Sequence, residues 1–301
     1  MSKQNNTAAS ATVEHSRDKR VEVLRRQYLA MLASFDLRPA TQQWVGSLFE
    51  RGLKLADEIE ALIGPLEGKR ILDMGSAYAG DLVALHARGA DCVAADKFDF
   101  GYGQFATRMP ALGRSDAGFR IVRCDAFKRW PFADASFDVV MAMELVEMAE
   151  DLDGFFAEIA RVLRPGGVAV LHTGVALKSI RRDPIYNLPV IAALPNRMRR
   201  FIAEKVFGRG TDFHLSNHNF NSAHKFVRHA RPVGYKVQPM KFRDSPLMKR
   251  VARWPLSSVW SWFIRYFAFD FVFIVPDVRR TRSAAVRDAQ LTAFMPMAVA
   301  P

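Results

Sequence analysis

Between Arg70 and His172, short runs of apolar β-forming residues alternate with runs of helical spacing, and this rhythm constrains the fold more than any other feature. In order they are RILDM, DLVALHAR, DCVAAD, FRIVRCD, FDVVMAM, LDGFFAEIARVL and VAVLH. Strands that read as nearly unbroken apolar runs are buried on both faces, and strand–helix alternation lays helices on both sides of a parallel sheet. With the later β-rich runs GYKVQPM and Phe269 to Val275, the pattern predicts an α/β fold, a doubly wound and mostly parallel seven-stranded sheet. Gly89 follows DLVALHAR and Pro165-Gly166-Gly167 follows the longer helical run, as expected where helices stop.

The flanks read differently. Residues 1–20 contain no apolar run of signal-peptide type and are expected to form a disordered leader. Over 21–68, apolar residues at helical spacing predict two amphipathic helices divided near Pro39. After His172 the rhythm breaks. Residues 69–278 are expected to be one domain, a core at 69–172 and a C-terminal cap insertion at 173–278 that handles a substrate, followed by a mobile tail at 279–301.

The net charge of +12 is unevenly placed. Residues 1–68 carry nine basic and nine acidic groups, 69–172 twelve and fifteen, and 173–301 twenty-two and seven. The last third should therefore meet an anionic partner or a membrane surface. Its dense aromatic run from Trp254 to Pro276 is broken by Arg265 and Asp270, which suits an edge strand or an interfacial patch better than a membrane span. Cys92 and Cys124 sit in or beside inner strands, as buried apolar thiols do. A cytoplasmic setting, peripheral to the inner membrane face, is the expectation.

Chemistry concentrates in ILDMGSAYAGD, where a strand turns through Gly75 and Gly80 into a helix. Glycines there permit close backbone approach, and helix-start amides are expected to face a ligand. Asp96 closes the next strand, where a carboxylate can accept ribose hydroxyl protons. Gly75, Ala77 and Gly80 also satisfy a loose dinucleotide fingerprint, but Asp73 would repel a pyrophosphate and suits a cationic amino group instead.

Four later segments extend the pattern in order: Cys124-Asp125-Ala126, then PFADASFDVV at 131–140, then Glu144-Leu145-Val146-Glu147, then Arg161 to Gly167. With them the chain resembles the class I S-adenosylmethionine-dependent methyltransferases of small-molecule type, over roughly a hundred residues. The resemblance implies a Rossmann-like core and S-adenosyl-L-methionine as cofactor. It implies that Asp73, Gly75, Ser76, Ala77, Gly80, Asp96 and Lys97 surround the methionine and ribose. Asp125 and the Ala126 amide would read the adenine, with Met143 and Glu144 beside the sulfonium. The family usually has glycine where Ala77 and Ala79 stand and histidine where Met148 stands.

Transfer from a sulfonium releases a neutral thioether, so alignment and deprotonation of the acceptor are what the protein must supply. Candidate bases are His172 at the end of the fifth strand, His214 and His218 in a later loop, and then Glu144. His214 and His218 could also be read as metal ligands, but Ser-Asn-His-Asn predicts loop and no metal is expected. The expected activity is O-directed methyl transfer to a glycan, lipid-linked or other anionic small molecule. Two alternatives stay open: a degenerate, binding-only member of the fold, and an RNA methyltransferase suggested by charge alone. Asp183-Pro184-Ile185-Tyr186 follows the fifth strand rather than the fourth, so no motif supports a nucleic-acid substrate.

Overall fold

A computed structural model describes residues 2–37, 39–98, 109, 118–149, 151–172, 188, 191, 194, 196–209, 228–239 and 271–276. The sheet runs β1 (Arg70–Met74), β2 (Asp91–Asp96), β3 (Phe119–Arg123), β4 (Phe137–Met143), β5 (Leu163–His172), β6 (Tyr235–Pro239) and β7 (Phe271–Pro276). Their spatial order is β3-β2-β1-β4-β5-β7-β6. The first five strands are parallel; β7 lies antiparallel between β5 and β6. The seven-stranded, doubly wound expectation agrees with this order. Because the chain leaves β3 at one side and re-enters at β4 beside β1, the strand order reverses between β1 and β4. A crevice opens at such a switch point, outside the carboxyl ends of the strands.

Helix α1 spans Ser2–Leu32, α2 Pro39–Ile63, α3 Gly80–Ala87 and α4 Leu152–Val162. The expected disordered leader at 1–20 is instead helical from Ser2. No glycine or proline interrupts Ser2–Leu32, so a helix once seated through Leu24, Tyr28 and Met31 has nothing to stop its extension toward the start.

The two amphipathic helices expected over 21–68 are present, and they belong to the core. Leu24, Tyr28, Val45, Leu48, Phe49, Leu55 and Ile59 bury with Leu82, Val83 and Leu85 of α3 against one sheet face. The approach is close: a Cβ on Gly52 would lie 2.6 Å from the Asp81 Cα, and one on Gly80 would strike the Tyr28 hydroxyl and the Leu48 Cβ. The opposite face is covered by α4, whose Leu152, Phe155, Phe156, Ile159 and Val162 fall at helical spacing and are all buried. Asp151 caps it by accepting the Gly154 amide at 2.9 Å. The segment Arg161–Gly167 is architectural: Arg161 donates to the Phe132 carbonyl (2.8 Å), the Trp130 carbonyl (3.1 Å) and Asp134 (2.7 Å), pinning the loop before β4.

Candidate active site

At the carboxyl ends of β1, β2 and β4 lies a cavity of about 1020 Å³. Asp73, Gly75, Ser76, Ala77, Asp96, Lys97, Asp125, Ala126, Met143 and Glu144 all line it, so one space gathers nearly every cofactor residue expected from sequence. β1 and β4 are hydrogen-bonded neighbours, which brings Asp73 and Met141 into register and sets Met143 and Glu144 beyond them.

Asp73 is 1 % exposed and, among the described residues, its Oδ1 has no hydrogen-bond partner. Burial pushes its carboxyl well above the usual range, and neighbouring Asp81 and Asp96 push the same way against the pull of Arg51. A buried acceptor without a donor costs free energy unless a ligand supplies one, and a cationic amino group would.

Asp96 holds the turn as well as facing the cavity. Its Oδ2 accepts the Ala77 amide at 3.0 Å and its Oδ1 the Phe98 amide at 2.9 Å, leaving each oxygen a second lone pair. Asp125 is oriented by the Phe127 amide (3.1 Å) and by Lys97 Nζ at 3.3 Å. Desolvation is the largest single influence and raises its carboxyl, but the Phe127 amide, Lys97 and Lys128 together outweigh it and the net direction is down.

The turn is clasped to the end of β2, and one expectation about it, the place of Gly80, is corrected. The amides of Gly75 and Ser76 donate to the Ala95 carbonyl (2.7 and 3.2 Å), and that of Ala79 to Ser76 (2.6 Å). Together with the Ala77 amide on Asp96, these donors are spent inside the protein because the turn clasps the end of β2. Gly80 does not line the cavity; its missing side chain makes room for Tyr28 and Leu48. Gly75 keeps a site role, with φ of 75° and Leu145 methyls 3.0 and 3.1 Å from where its Cβ would stand. Ala77 and Ala79, where the family has glycine, still adopt left-handed φ of 45° and 53°. That conformation costs a side-chain-bearing residue roughly 1–2 kcal/mol.

Sequence reasoning missed the contribution of α2. Trp44, Leu48 and Arg51 line the cavity from that helix. Arg51 makes a two-pronged pair with buried Asp81, Nε to Oδ1 at 2.9 Å and Nη2 to Oδ2 at 2.6 Å, and reaches Glu144 Oε1 at 3.4 Å. An arginine one turn from Leu48 and Leu55 within the apolar stripe of α2 was the available signal.

Glu144 lies at the end of β4 with φ of 57°, a strained backbone for glutamate. His172 Nδ1 stands 3.3 Å from its Oε1, and the Glu144 amide donates to the His172 carbonyl at 3.0 Å. Burial pushes the Glu144 carboxyl up, but His172 and Arg51 together bring it below the ordinary value. His172 is not among the cavity-lining residues, so of the two it is Glu144 that faces the space. His214 and His218 lie outside the described residues, as does the run from Trp254 to Asp270. Among the described residues no three metal-ligating side chains cluster.

An open, switch-point α/β sheet whose crevice is set with carboxylates at successive strand ends defines a nucleoside-cofactor fold. Residues 72–171 match the family described as "Methyltransferase domain". Over this third of the chain lies a methyltransferase domain, similar to those of the class I S-adenosylmethionine-dependent enzymes. It is 40 % identical over 111 residues to a ubiquinone biosynthesis O-methyltransferase of Sinorhizobium medicae, covering 36 % of this chain and 42 % of that protein. It is 29 % identical over 139 residues to a sterol 24-C-methyltransferase of Pneumocystis carinii, covering 44 % and 36 %. An S-adenosylmethionine-dependent methyltransferase structure from Mesorhizobium loti aligns over 74 % of this chain and 98 % of its own, at 18 % identity and a TM-score of 0.47. The matched stretch thus spans less than half the length of these curated relatives.

Proposed function

We propose that the chain is an S-adenosylmethionine-dependent O-methyltransferase acting on a small-molecule hydroxyl, on a glycan, lipid-linked or other anionic acceptor. The observation that carries the cofactor is the buried, unpartnered Asp73 Oδ1 in a cavity that also holds Asp96 and Asp125. These three carboxylates fit the amino group, the ribose hydroxyls and the adenine amino group in turn, each a donor meeting an acceptor. The cofactor supplies a methyl group on a positively charged sulfur. The relatives named for O- and C-methylation support a small-molecule acceptor.

Within the chain, Glu144 is the proton acceptor that faces the cavity, with His172 and Arg51 holding it ionised. A carboxylate held below its ordinary pKa is a weak base, so it serves an acidic hydroxyl such as a phenol better than an alkyl alcohol. Trp44, Leu48, Leu145 and Met148 give the cavity apolar walls that exclude water from the approach.

Titration calorimetry with S-adenosylmethionine tests the cofactor. Saturable binding is expected, weakened about ten- to a hundredfold by Asp96→Asn through loss of a charge-assisted hydrogen bond. No binding, or equal binding by the variant, overturns the assignment. Binding without turnover on any hydroxyl acceptor would favour the binding-only reading, to which the alanines at left-handed φ lend weight.

A further inference from the structure

Outside the cavity, the described segment Asn196–Arg209 combines two properties rarely found together on a surface in contact only with water. Met198, Phe201, Val206 and Phe207 are 52 %, 62 %, 63 % and 56 % exposed, while Arg197, Arg200, Lys205 and Arg209 are exposed among them. The segment holds five basic residues and one acidic. Scattered exposed apolar side chains need no explanation, but a cluster of large ones in so short a stretch does.

The backbone accounts for the clustering. Helix α5 (Asn196–Phe201) passes into a π-helical turn over Ile202–Val206, where the Phe207 amide reaches the Ile202 carbonyl at 3.1 Å and the Arg209 amide the Ala203 carbonyl at 2.8 Å. A turn closed at five residues is wider than an α-turn, so side chains five apart lie nearer one another there than an ordinary α-helix would bring them. The inner side of the segment is anchored: Ala203 is fully buried in a small cluster with Leu188 and Ile191, Ile202 packs against it, and Arg199 is fully buried too. The exposed side chains are therefore displayed by a seated element.

We infer that Asn196–Arg209 docks on an anionic membrane surface. Large apolar side chains enter the interface between headgroup and acyl chain while flanking arginines and lysines meet lipid phosphates. A second copy of the chain fits less well, since two surfaces with this excess of basic over acidic groups repel. Single-stranded nucleic acid fits less well too, because Met198 and Val206 offer bases no stacking face. No described helix is long and apolar enough to cross a membrane, and the docking surface does not need one. The inference stands independently of methyl transfer.

The test is cosedimentation of the full chain with vesicles of phosphatidylcholine alone or mixed with phosphatidylglycerol. The protein should pellet with the mixed vesicles and remain in solution with the neutral ones. Arg197→Gln, Arg200→Gln and Lys205→Gln combined should weaken binding on the order of a hundredfold, about fivefold for each basic residue near the surface. Phe201→Ser with Phe207→Ser should weaken it on the order of a hundredfold or more. A Phe207→Trp variant provides a readout against the wild type, whose five tryptophans set the baseline: the added emission should shift to the blue on vesicle addition. Failure to pellet with mixed vesicles, or equal pelleting by both combined variants, overturns the inference. So does self-association or RNA binding that the phenylalanine variant abolishes while vesicles leave the protein in solution. Calorimetry with S-adenosylmethionine should be unchanged by all three variants, which separates this outcome from that of the cofactor assignment.

Discussion

At the scale of single residues, Asp73 sets stability against binding. Its carboxyl is buried and pushed well above the usual range, so between the ordinary pKa and the folded one the native chain holds a proton that the unfolded chain has released. Stability from this group therefore falls as pH rises through that window and stays low at neutrality. Asp73→Asn removes the penalty while keeping the shape. The variant should melt above the wild type at pH 7 without ligand, the gap closing below about pH 4 where the unfolded carboxyl is protonated as well. It should also bind S-adenosylmethionine about ten- to a hundredfold more weakly, for want of a charged acceptor. Scanning calorimetry across pH and titration calorimetry check the two halves; a variant that melts lower at pH 7 would mean that Arg51, not burial, dominates Asp73. The position of Asp73 was legible in sequence because strand, turn and helix follow one another within eleven residues of ILDMGSAYAGD. Its missing partner was not, since only the folded neighbourhood decides which donors reach a buried oxygen.

At the scale of elements, the informative contact is α2 on α3. Runs with a period could be read directly: β1, β2, β4 and β5 are apolar stretches, and α4 repeats its buried positions every third or fourth residue. What a period cannot reveal is which helix lies on which, and here glycine records it. A Cβ on Gly52 would meet the Asp81 backbone and the Ala84 Cβ at 2.6–2.7 Å, whereas one on Gly46 of the same helix would find only a Leu29 methyl at 3.9 Å. The same substitution should act with opposite signs. Gly46→Ala should stabilise by about 0.5–1 kcal/mol, the helix preference for alanine. Gly52→Ala should destabilise by about 1–3 kcal/mol through overpacking, because backbone atoms cannot step aside. It should also displace Arg51 from Asp81, leaving a carboxylate with 5 % of its side chain exposed short of its counter-charge. Urea denaturation of the two variants decides; two stabilising glycine replacements would show that α2 does not seat this closely.

At the scale of the molecule, the sequence pattern separates N-terminal helices from a cofactor core, and the packing joins them. Tyr28 and Leu48 fill the space that Gly80 leaves, while Trp44, Leu48 and Arg51 reach the cavity itself. The charge path then runs from Asp81 through Arg51 to Glu144 and His172, linking α3, α2 and the ends of β4 and β5. None of these links is local: Arg51 and Glu144 are 93 residues apart, beyond what any spacing rule can see. If the helices and the sheet form one cooperative unit, a ligand held in the cavity must stabilise both together. Binding at a hundredfold excess over Kd contributes about 2.7 kcal/mol to the native state. For a chain of this size that corresponds to a rise of roughly 4–5 °C in the melting midpoint. Far-ultraviolet circular dichroism reports mainly on helices, and in variants with four of the five tryptophans replaced by phenylalanine the emission of Trp44 or of Trp130 reports on α2 or on the loop before β4. With S-adenosylmethionine added, both signals should move up by the same amount as a single transition. Two transitions, with only the Trp130 signal shifting, would mean that α1 and α2 melt away from an intact sheet and that the cavity does not need its α2 wall.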